Sequence, residues 1–115
     1  MSRRNPSRGR SRPPAQAALF AALGDKTRLA LVGRLCSAEP ASIAELTAGT
    51  RVTRQAITKH LGVLERAGIV RGVRAGRENR FALDARPLHA MQRYLDLVSR
   101  QWDDALARLK TFVEE

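Results

Sequence analysis

The 115-residue sequence predicts a mainly α-helical domain with one small β-hairpin, in the order α-α-α-α-β-β-α. Apolar residues recur every three or four positions through most of the chain, which is helical spacing. Two short β-prone runs flank a glycine near position 76, which is the pattern of a hairpin. Glycine, proline or capping residues separate the segments. The length allows one domain and leaves little chain for a second.

Residues 1–14 are predicted to form a disordered basic arm. The segment holds five arginines and three prolines but no acid, and it has no leucine, isoleucine, valine or aromatic residue. Such a composition buries too little apolar area to offset the entropy of ordering the chain. The arm could follow a minor groove of DNA, raise non-specific affinity or be a passive extension. The folded domain is therefore expected to span residues 15–115.

Two helices are predicted at the start of this domain. The first begins near Ala15, ends at Gly24 and turns inward a face made of Ala18, Leu19, Ala22 and Leu23. Asp25 is a suitable N-cap for the second helix, because its carboxylate can accept from the free first-turn amides. Pro40 prevents this helix from continuing. Its apolar stripe is expected to be Leu29, Val32, Leu35 and Cys36.

Two short helices joined by a tight turn are predicted next. Ser42 opens the first, with Glu45 at the spacing of a capping box. This helix stops at Gly49 and is expected to bury Ile43, Leu46 and Thr47. After a three-residue gap, Thr53 is suitable as the N-cap of a helix that runs to about Ala67, with a core stripe of Ile57, Leu61 and Leu64. This is the spacing of a helix-turn-helix.

A β-hairpin and a long helix complete the predicted fold. The runs Ile69–Val73 and Arg80–Leu83 flank the segment 75–78, with Gly76 at the turn. A helix-turn-helix followed by such a hairpin is a winged helix-turn-helix, in which the hairpin is the wing. From Pro87, a suitable first-turn residue, helical periodicity continues almost to the end.

The final helix carries an unbroken heptad stripe that predicts a homodimer. A helix over residues 87–114 is about 40 Å long, so much of the stripe would overhang its own core. Burial against a second copy is the expected outcome. The alternative is a helix that bends or breaks and packs only on its own domain. The stripe comprises Leu88, Met91, Leu95, Val98, Trp102, Ala105, Leu109 and Phe112.

The basic residues are concentrated in two stretches. The formal net charge is +10, from 21 basic and 11 acidic residues. Residues 1–14 contribute +5 and residues 51–80 contribute +6, whereas residues 15–50 are neutral and residues 81–115 carry −1. A block of this kind indicates a polyanionic partner, of which nucleic acid is the usual one. No apolar run is long enough to cross a membrane, so no membrane partner is expected.

The helix after Thr53 is predicted to read DNA bases. Arginine can donate two hydrogen bonds to guanine, glutamine can pair with adenine, and threonine offers a hydroxyl and a methyl group. Arg54, Gln55 and Thr58 supply these groups away from the core stripe. The alternative is a solvated polar face, which any surface helix has. The basic residues at 51 and 59, Arg51 and Lys59, are expected to neutralise phosphates.

Four arginines recur at intervals of three in the predicted wing, namely Arg71, Arg74, Arg77 and Arg80. Arg77, beside the turn glycine, is expected to enter a minor groove, where narrow stretches attract arginine. Arg74 and Arg80 are also placed in the predicted DNA-binding set. The alternative is a charged edge strand that discourages aggregation, and both interpretations can hold.

Catalytic and metal-binding chemistry is not predicted. The two histidines, His60 and His89, are far apart, and the chain has no Gly-rich phosphate loop, nucleophile motif or paired carboxylates. We therefore expect no enzyme, no metal and no cofactor. His60 is expected to contact a phosphate or to pack, and Cys36 to be a small core residue, with redox sensing as the alternative. A single cysteine agrees with a reducing cytoplasm.

From about Ala18 to Glu115 the chain resembles the ArsR/SmtB family of bacterial winged-helix repressors. The most specific matching segments are ALGDKTRLALVGRL and VTRQAITKHLGVLERAGIV. The resemblance implies homodimers joined through the first and last helices, and repression of the operon that contains the repressor's own gene. It also implies a bacterial cytoplasmic location, on the nucleoid when DNA is bound. It implies a DNA-facing surface of Thr53, Arg54, Gln55, Thr58, Lys59 and His60, with Arg77 in the wing. The dimer contacts expected on these helices are Leu19, Met91, Leu95, Val98, Trp102, Leu109 and Phe112.

The chain departs from the family where many members bind metal. Those members carry a cysteine pair in the helix occupied here by Ser42–Gly49, or paired Asp and His ligands along the last helix, where His89 is the only histidine here. The resemblance is closest to metal-independent members. We therefore predict a sequence-specific regulator, an autoregulatory repressor that binds an inverted-repeat operator in double-stranded DNA as a homodimer. The alternative is a non-specific, architectural nucleic-acid-binding protein.

Overall fold

The computed structural model describes residues 15–37 and 40–114, so the predicted arm at residues 1–14 lies outside the described residues. The helices are α1 (Ala15–Leu23), α2 (Lys26–Cys36), α3 (Ile43–Thr47), α4 (Arg54–Arg66) and α5 (Ala85–Glu114). The strands are β1 (Ala41–Ser42), β2 (Val70–Ala75) and β3 (Glu78–Leu83). The predicted fold class, a mainly helical winged helix-turn-helix, is confirmed.

The starts of α2, α3 and α4 are set by the predicted capping residues. Asp25 accepts from two first-turn amides of α2, at 2.9 and 3.0 Å. Ser42 and Glu45 form the reciprocal capping box of α3, with bonds of 3.0 and 3.1 Å. The Thr53 hydroxyl accepts from the amide of the third residue of α4 at 3.1 Å. Each cap satisfies a donor that the helix itself leaves unpaired, so these boundaries follow from residues within three positions.

The core lies between α2, α3, α4 and the sheet. Its most deeply buried side chains are each at most 1% exposed, and they are Leu46, Ile57, Leu61, Leu64, Ile69 and Val70. The predicted core stripe of α4 is thereby confirmed. Since α4 packs by this stripe, the opposite side of the helix is left to solvent.

The inward face of α2 differs from the prediction. Leu31, Val32 and Leu35 are buried, whereas Leu29 is 57% exposed and Cys36 is also exposed. Leu31 and Leu35 are four residues apart and therefore lie one above the other on the helix. Packing on this row turns Leu29 and Cys36 outward, so the prediction that Cys36 is a core residue was wrong.

A two-residue strand, β1, was not predicted. It pairs antiparallel with β3, with Ala41 opposite Phe81 and Ser42 opposite Arg80. The sheet order is β1-β3-β2, so the hairpin of β2 and β3 is extended by one short strand that leads directly into α3. Two residues carry no periodicity, and for this reason the sequence pattern could not reveal the strand.

The last helix, α5, is a single element of 30 residues that begins two positions before the predicted Pro87. Met91 is its only buried residue, and every residue from Ser99 to Glu114 is exposed. The alternative in which this helix breaks and packs on its own domain is therefore not seen. In the described part of the chain, no helix is long and apolar enough to span a membrane.

Candidate nucleic-acid interface

The predicted DNA-reading surface lies on the first two turns of α4. The buried contact of Ile57 in the core fixes the rotation of the helix about its axis. Away from this contact, four predicted DNA-binding side chains are exposed and close together, namely Arg54, Gln55, Thr58 and Lys59. Residues 54 and 58 form one row along the helix and residues 55 and 59 form the next, because residues four apart share a face. The structure therefore brings these four residues together.

Two hydroxyl groups at this surface, those of Thr53 and Thr58, already form hydrogen bonds within the protein. Thr53 uses its oxygen to cap α4. The Thr58 hydroxyl donates to the carbonyl oxygen of Arg54 at 2.8 Å, which leaves its methyl group and oxygen lone pairs free. Among the described residues, Arg54 and Gln55 make no side-chain hydrogen bond, so their donors are available to a ligand. Arg51 is exposed in the turn before α4.

His60 is placed apart from the exposed rows. Its side chain is 23% exposed, and Nδ1 lies 3.7 Å from Asp25 Oδ2. The same nitrogen is 3.2 Å from Nη1 of Arg28 in α2. The sequence left two alternatives for His60, a phosphate contact or packing within the protein. One edge of the ring packs against Arg28 and Asp25. The hydrogen bond from the Arg28 amide lowers the pKa of Asp25, which keeps this carboxyl charged beside the ring.

The wing is a hairpin with a two-residue turn. Ala75 pairs with Glu78, so Gly76 and Arg77 form the turn between them. Gly76 has φ of +66°, which a side chain would strain. Both strands are longer than predicted, and Arg77 stands at the exposed tip. The wing thus offers one arginine beyond the end of the sheet.

The equal spacing of the wing arginines does not put them on one face. Neighbouring residues of a strand point to opposite sides, so an interval of three changes sides. In β2, Arg71 therefore shares a face with Val73, whereas Arg74 shares the other face with the buried Val70. Arg74 is exposed because it lies near the tip, and it donates weakly to the Gly76 carbonyl oxygen at 3.3 Å.

Arg80 was predicted to bind DNA, but its guanidinium is hydrogen-bonded within the protein. Its guanidinium donates to both carboxylate oxygens of Glu45 at 2.9 and 3.1 Å, and to the Pro40 carbonyl oxygen at 2.6 Å. A further bond of 3.2 Å joins it to Glu78. These acceptors occupy the planar donor fork that a phosphate would need. Arg80 therefore ties β3 to the start of α3, and we remove it from the DNA-binding set.

The predicted dimer contacts fall into an inner and an outer group. Leu19 packs partly buried against the core, and Met91 is 5% exposed within the single chain. Val98 is half-buried. The outer group is largely exposed, with values of 52% for Leu95, 65% for Trp102, 56% for Leu109 and 76% for Phe112. Leu106 and Val113 widen this apolar face and were not in the predicted set.

Metal-ligating residues are dispersed in the structure. Within residues 15–37 and 40–114, no three His, Cys, Asp or Glu side chains lie close enough to hold a metal ion. Cys36 and His89 are both exposed, on α2 and α5. The predicted DNA-binding side chains lie instead on the basic surface formed by α4 and the wing.

The chain is similar to known transcriptional regulators over most of its length. Residues 23–73 match a family described as a helix-turn-helix domain. YuzN, an uncharacterized HTH-type transcriptional regulator of Bacillus subtilis, is 39% identical over 77 residues, which cover 62% of this chain and 84% of the relative. The family match spans α2, the helix-turn-helix and the start of the wing.

The fold is also similar to solved structures of transcriptional regulators. An ArsR-like transcriptional regulator from Rhodococcus is 36% identical with a TM-score of 0.70, over 85% of this chain and 92% of the other. The transcriptional repressor BigR from Xylella fastidiosa is 26% identical with a TM-score of 0.58, over 74% of this chain and 84% of the other.

Proposed function

Because this chain belongs to the ArsR family of helix-turn-helix transcriptional regulators, we propose that it is a repressor that binds an inverted-repeat operator as a homodimer. Its own promoter region is the first operator to test, since the resemblance implies control of its own operon. The observation that carries the proposal is the exposed set of donors at the start of α4, which have no partner within residues 15–37 and 40–114 and are held in place by the buried stripe behind them.

Base recognition is assigned to Arg54 and Gln55. Both side chains are exposed in the first turn of α4, where a recognition helix enters the major groove. Arginine matches the two acceptors of guanine, and glutamine matches the donor and acceptor of adenine. The methyl group of Thr58 can contact a thymine methyl in the same groove. These three side chains would set sequence preference.

Backbone contacts are assigned to charged residues around this group. Arg51 and Lys59 flank the reading residues and can neutralise phosphates. Arg77 at the wing tip, together with Arg74, suits the adjacent minor groove, in which arginine is attracted by a narrow, negative channel. The net charge of +6 over residues 51–80 would favour this whole surface for DNA.

The homodimer is supported by the outer half of α5. Its large apolar side chains stay exposed in a single chain, and a monomer rarely leaves such a contiguous face in water. A second copy of α5 offers the same face, which suits a twofold interface. Two recognition helices about 34 Å apart could then read two half-sites in successive major grooves.

The repressor role is supported by similarity to BigR, which is named a transcriptional repressor. A dimer that occupies two successive grooves covers about one turn of DNA at minimum. If that stretch overlaps a promoter, RNA polymerase cannot use it. Repression is the simplest outcome of such occupancy.

Binding to the DNA upstream of the protein's own gene tests the function. In a mobility-shift titration, we expect one fragment to stay bound when unrelated duplex DNA is added in large excess. Equal affinity for all duplexes, with a steep fall as salt rises, would instead indicate a non-specific architectural protein. Inserting five base pairs between the half-sites should abolish dimer binding, because one half-site then faces the other side of the duplex.

A further inference from the structure

Three polar side chains join the end of α1 and the start of α2 to α4. Arg28 places Nη1 at 3.2 Å from His60 Nδ1. Its Nε donates to the carbonyl oxygen of Ala22 at 2.5 Å, which anchors the guanidinium at the end of α1. Asp25 Oδ2 lies 3.7 Å from the same ring nitrogen. The Nδ1 edge of the His60 ring therefore contacts Arg28, and Asp25 lies close to the same edge.

The contact with Arg28 indicates which ring nitrogen carries the proton. Arginine has five N–H donors and no acceptor, so the contact with Arg28 requires a lone pair on His60 Nδ1. Asp25 does not compete, because 3.7 Å is beyond hydrogen-bond distance and its Oδ2 already accepts from the amides of Thr27 and Arg28. A neutral imidazole with a lone pair on Nδ1 has its proton on Nε2.

We propose that Arg28 is a positioning residue that holds His60 as the Nε2–H tautomer, so that this N–H donates to a backbone phosphate of bound DNA. Among the described residues, none accepts from His60 Nε2. The inference rests on the proposed function, since it adds a contact to the DNA-binding surface of α4. Unlike the contacts of Arg51 and Lys59, this one is made by an uncharged group.

The anchoring gives this contact a distinct role. Phosphate contacts fix the register and orientation of a protein on the duplex without reading its sequence. His60 lies beside the exposed Lys59 but is itself half-buried, so its ring cannot follow a moving phosphate as a lysine can. Through Arg28 and the Ala22 carbonyl, the donor has a fixed position relative to α1. The angle at which α4 lies in the groove would thereby be tied to the N-terminal helix.

The tautomer is measured on the free protein by two-bond proton–nitrogen NMR correlation, at a pH at which imidazole is neutral. His60 and His89 are the two histidines of the chain, and exposed His89 is the internal reference for an unconstrained ring. We expect a pure Nε2–H pattern for His60 and an averaged pattern for His89. Arg28→Met, which has no donor, should move the His60 pattern toward that of His89. An averaged wild-type pattern, or no response to Arg28→Met, overturns the role of Arg28.

The phosphate contact is measured through two substitutions of His60 that keep the adjacent charges. His60→Gln places an amide donor at about the reach of Nε2, whereas His60→Asn does not. We expect His60→Asn to weaken DNA binding about tenfold and His60→Gln to weaken it less. The salt dependence should be unchanged in both, because a neutral donor releases no counterion.

Lys59→Gln is the matched control for the salt dependence. Loss of that charged contact should lower the slope of log affinity against log salt by about 0.9 for each half of a dimer. All variants are titrated on the operator and on an unrelated duplex, since both present phosphates. A wild-type protein that prefers neither duplex contradicts the proposed function alone. A His60→Asn protein that binds both duplexes as wild type does, or whose slope falls with its affinity, overturns the His60 contact alone.

Discussion

At the residue scale, Arg77 and Arg80 differ in what surrounds each guanidinium. Arg77 stands in a two-residue turn and is exposed to solvent. Arg80 is three positions further on, 24% exposed, and bonded to Glu45, Glu78 and the Pro40 carbonyl oxygen. A guanidinium with its donors satisfied gains little from a phosphate, whereas one in water can exchange water for the anion. We therefore expect Arg80 to stabilise the fold and Arg77 to be available to DNA.

This difference predicts that removing Arg80 affects stability, whereas removing Arg77 affects DNA binding. Arg80→Ala should lower the free energy of unfolding by about 1–2 kcal/mol, because it removes the guanidinium donors from Glu45 and leaves the Pro40 carbonyl oxygen without this donor. Arg77→Ala should leave stability unchanged and weaken DNA binding. Urea unfolding and fluorescence anisotropy on each variant separate the two effects. A loss of stability in Arg77→Ala with none in Arg80→Ala would contradict these assignments.

The proposed reading residues, Arg54 and Gln55, predict a loss of base preference when either is removed. Arg54→Ala and Gln55→Ala should each cost about 1–3 kcal/mol of operator affinity, and should weaken unrelated DNA much less. The measurement is a titration of each protein into labelled operator and base-substituted operators, with fluorescence anisotropy as the readout. Arg93→Ala is the control, since it removes an exposed arginine from α5. Operator binding equal to wild type in both variants would mean that the reading face lies elsewhere.

At the scale of elements, the start of α5 depends on the short segment that joins it to the sheet. Asp84 follows β3 and accepts from the Arg86 amide at 3.0 Å and from the Arg86 guanidinium at 2.9 Å. The side-chain bond from Arg86, followed by the backbone bond, lowers the pKa of Asp84 from 3.8 to about 2. A charged carboxylate at a helix start also suits the positive end of the helix dipole.

The lowered pKa of Asp84 predicts a pH-dependent contribution to stability. In the folded state this carboxyl stays charged below its unfolded value of 3.8, so its contribution is present above that pH and is lost as pH falls toward about 2. Thermal unfolding of wild type and Asp84→Asn should therefore differ at neutral pH and converge in acid. Arg86→Gln should show a smaller version of the same loss, because the backbone donor remains. A difference that persists unchanged at pH 2 would contradict this account.

At the scale of the whole molecule, α5 is too long for the domain that carries it. Its 30 residues span about 45 Å, and the outer half exposes Trp102, Leu109 and Phe112 to water. An apolar face this long is stable in water only when it is covered. A second copy is the partner that we propose, and the dimer would also set the distance between the recognition helices.

A dimer built on α5 predicts that Trp102→Ala weakens self-association. Trp102 is 65% exposed in the single chain, so the substitution removes apolar contact area without opening the core. Sedimentation velocity at low micromolar concentration should show a shift toward monomer. Arg100 lies on the side of α5 opposite to the apolar stripe. Arg100→Ala is therefore the matched control and should sediment as wild type does. An unchanged profile for Trp102→Ala would place the interface elsewhere.

The sequence by itself determined the helices, the hairpin and which side of α4 is exposed. Helix starts depend on caps such as Asp25 and Thr53, whose partners lie within three residues. The inward face of α4 depends on the interval between Ile57 and Leu61, which is a property of one helix. Arg54 and Gln55 are exposed for the same reason, since they lie off that stripe. Local interactions and one periodicity suffice for all of these features.

Only the tertiary structure decided the features that depend on contacts between distant segments. Arg80 meets Glu45 across 35 positions, and His60 meets Arg28 across 32. Strand β1 exists only because β3 lies beside it, and Leu29 is exposed because α2 packs on Leu31 instead. A periodic pattern shows which residues share a face, but the neighbours in space determine which face is covered and which charges are paired.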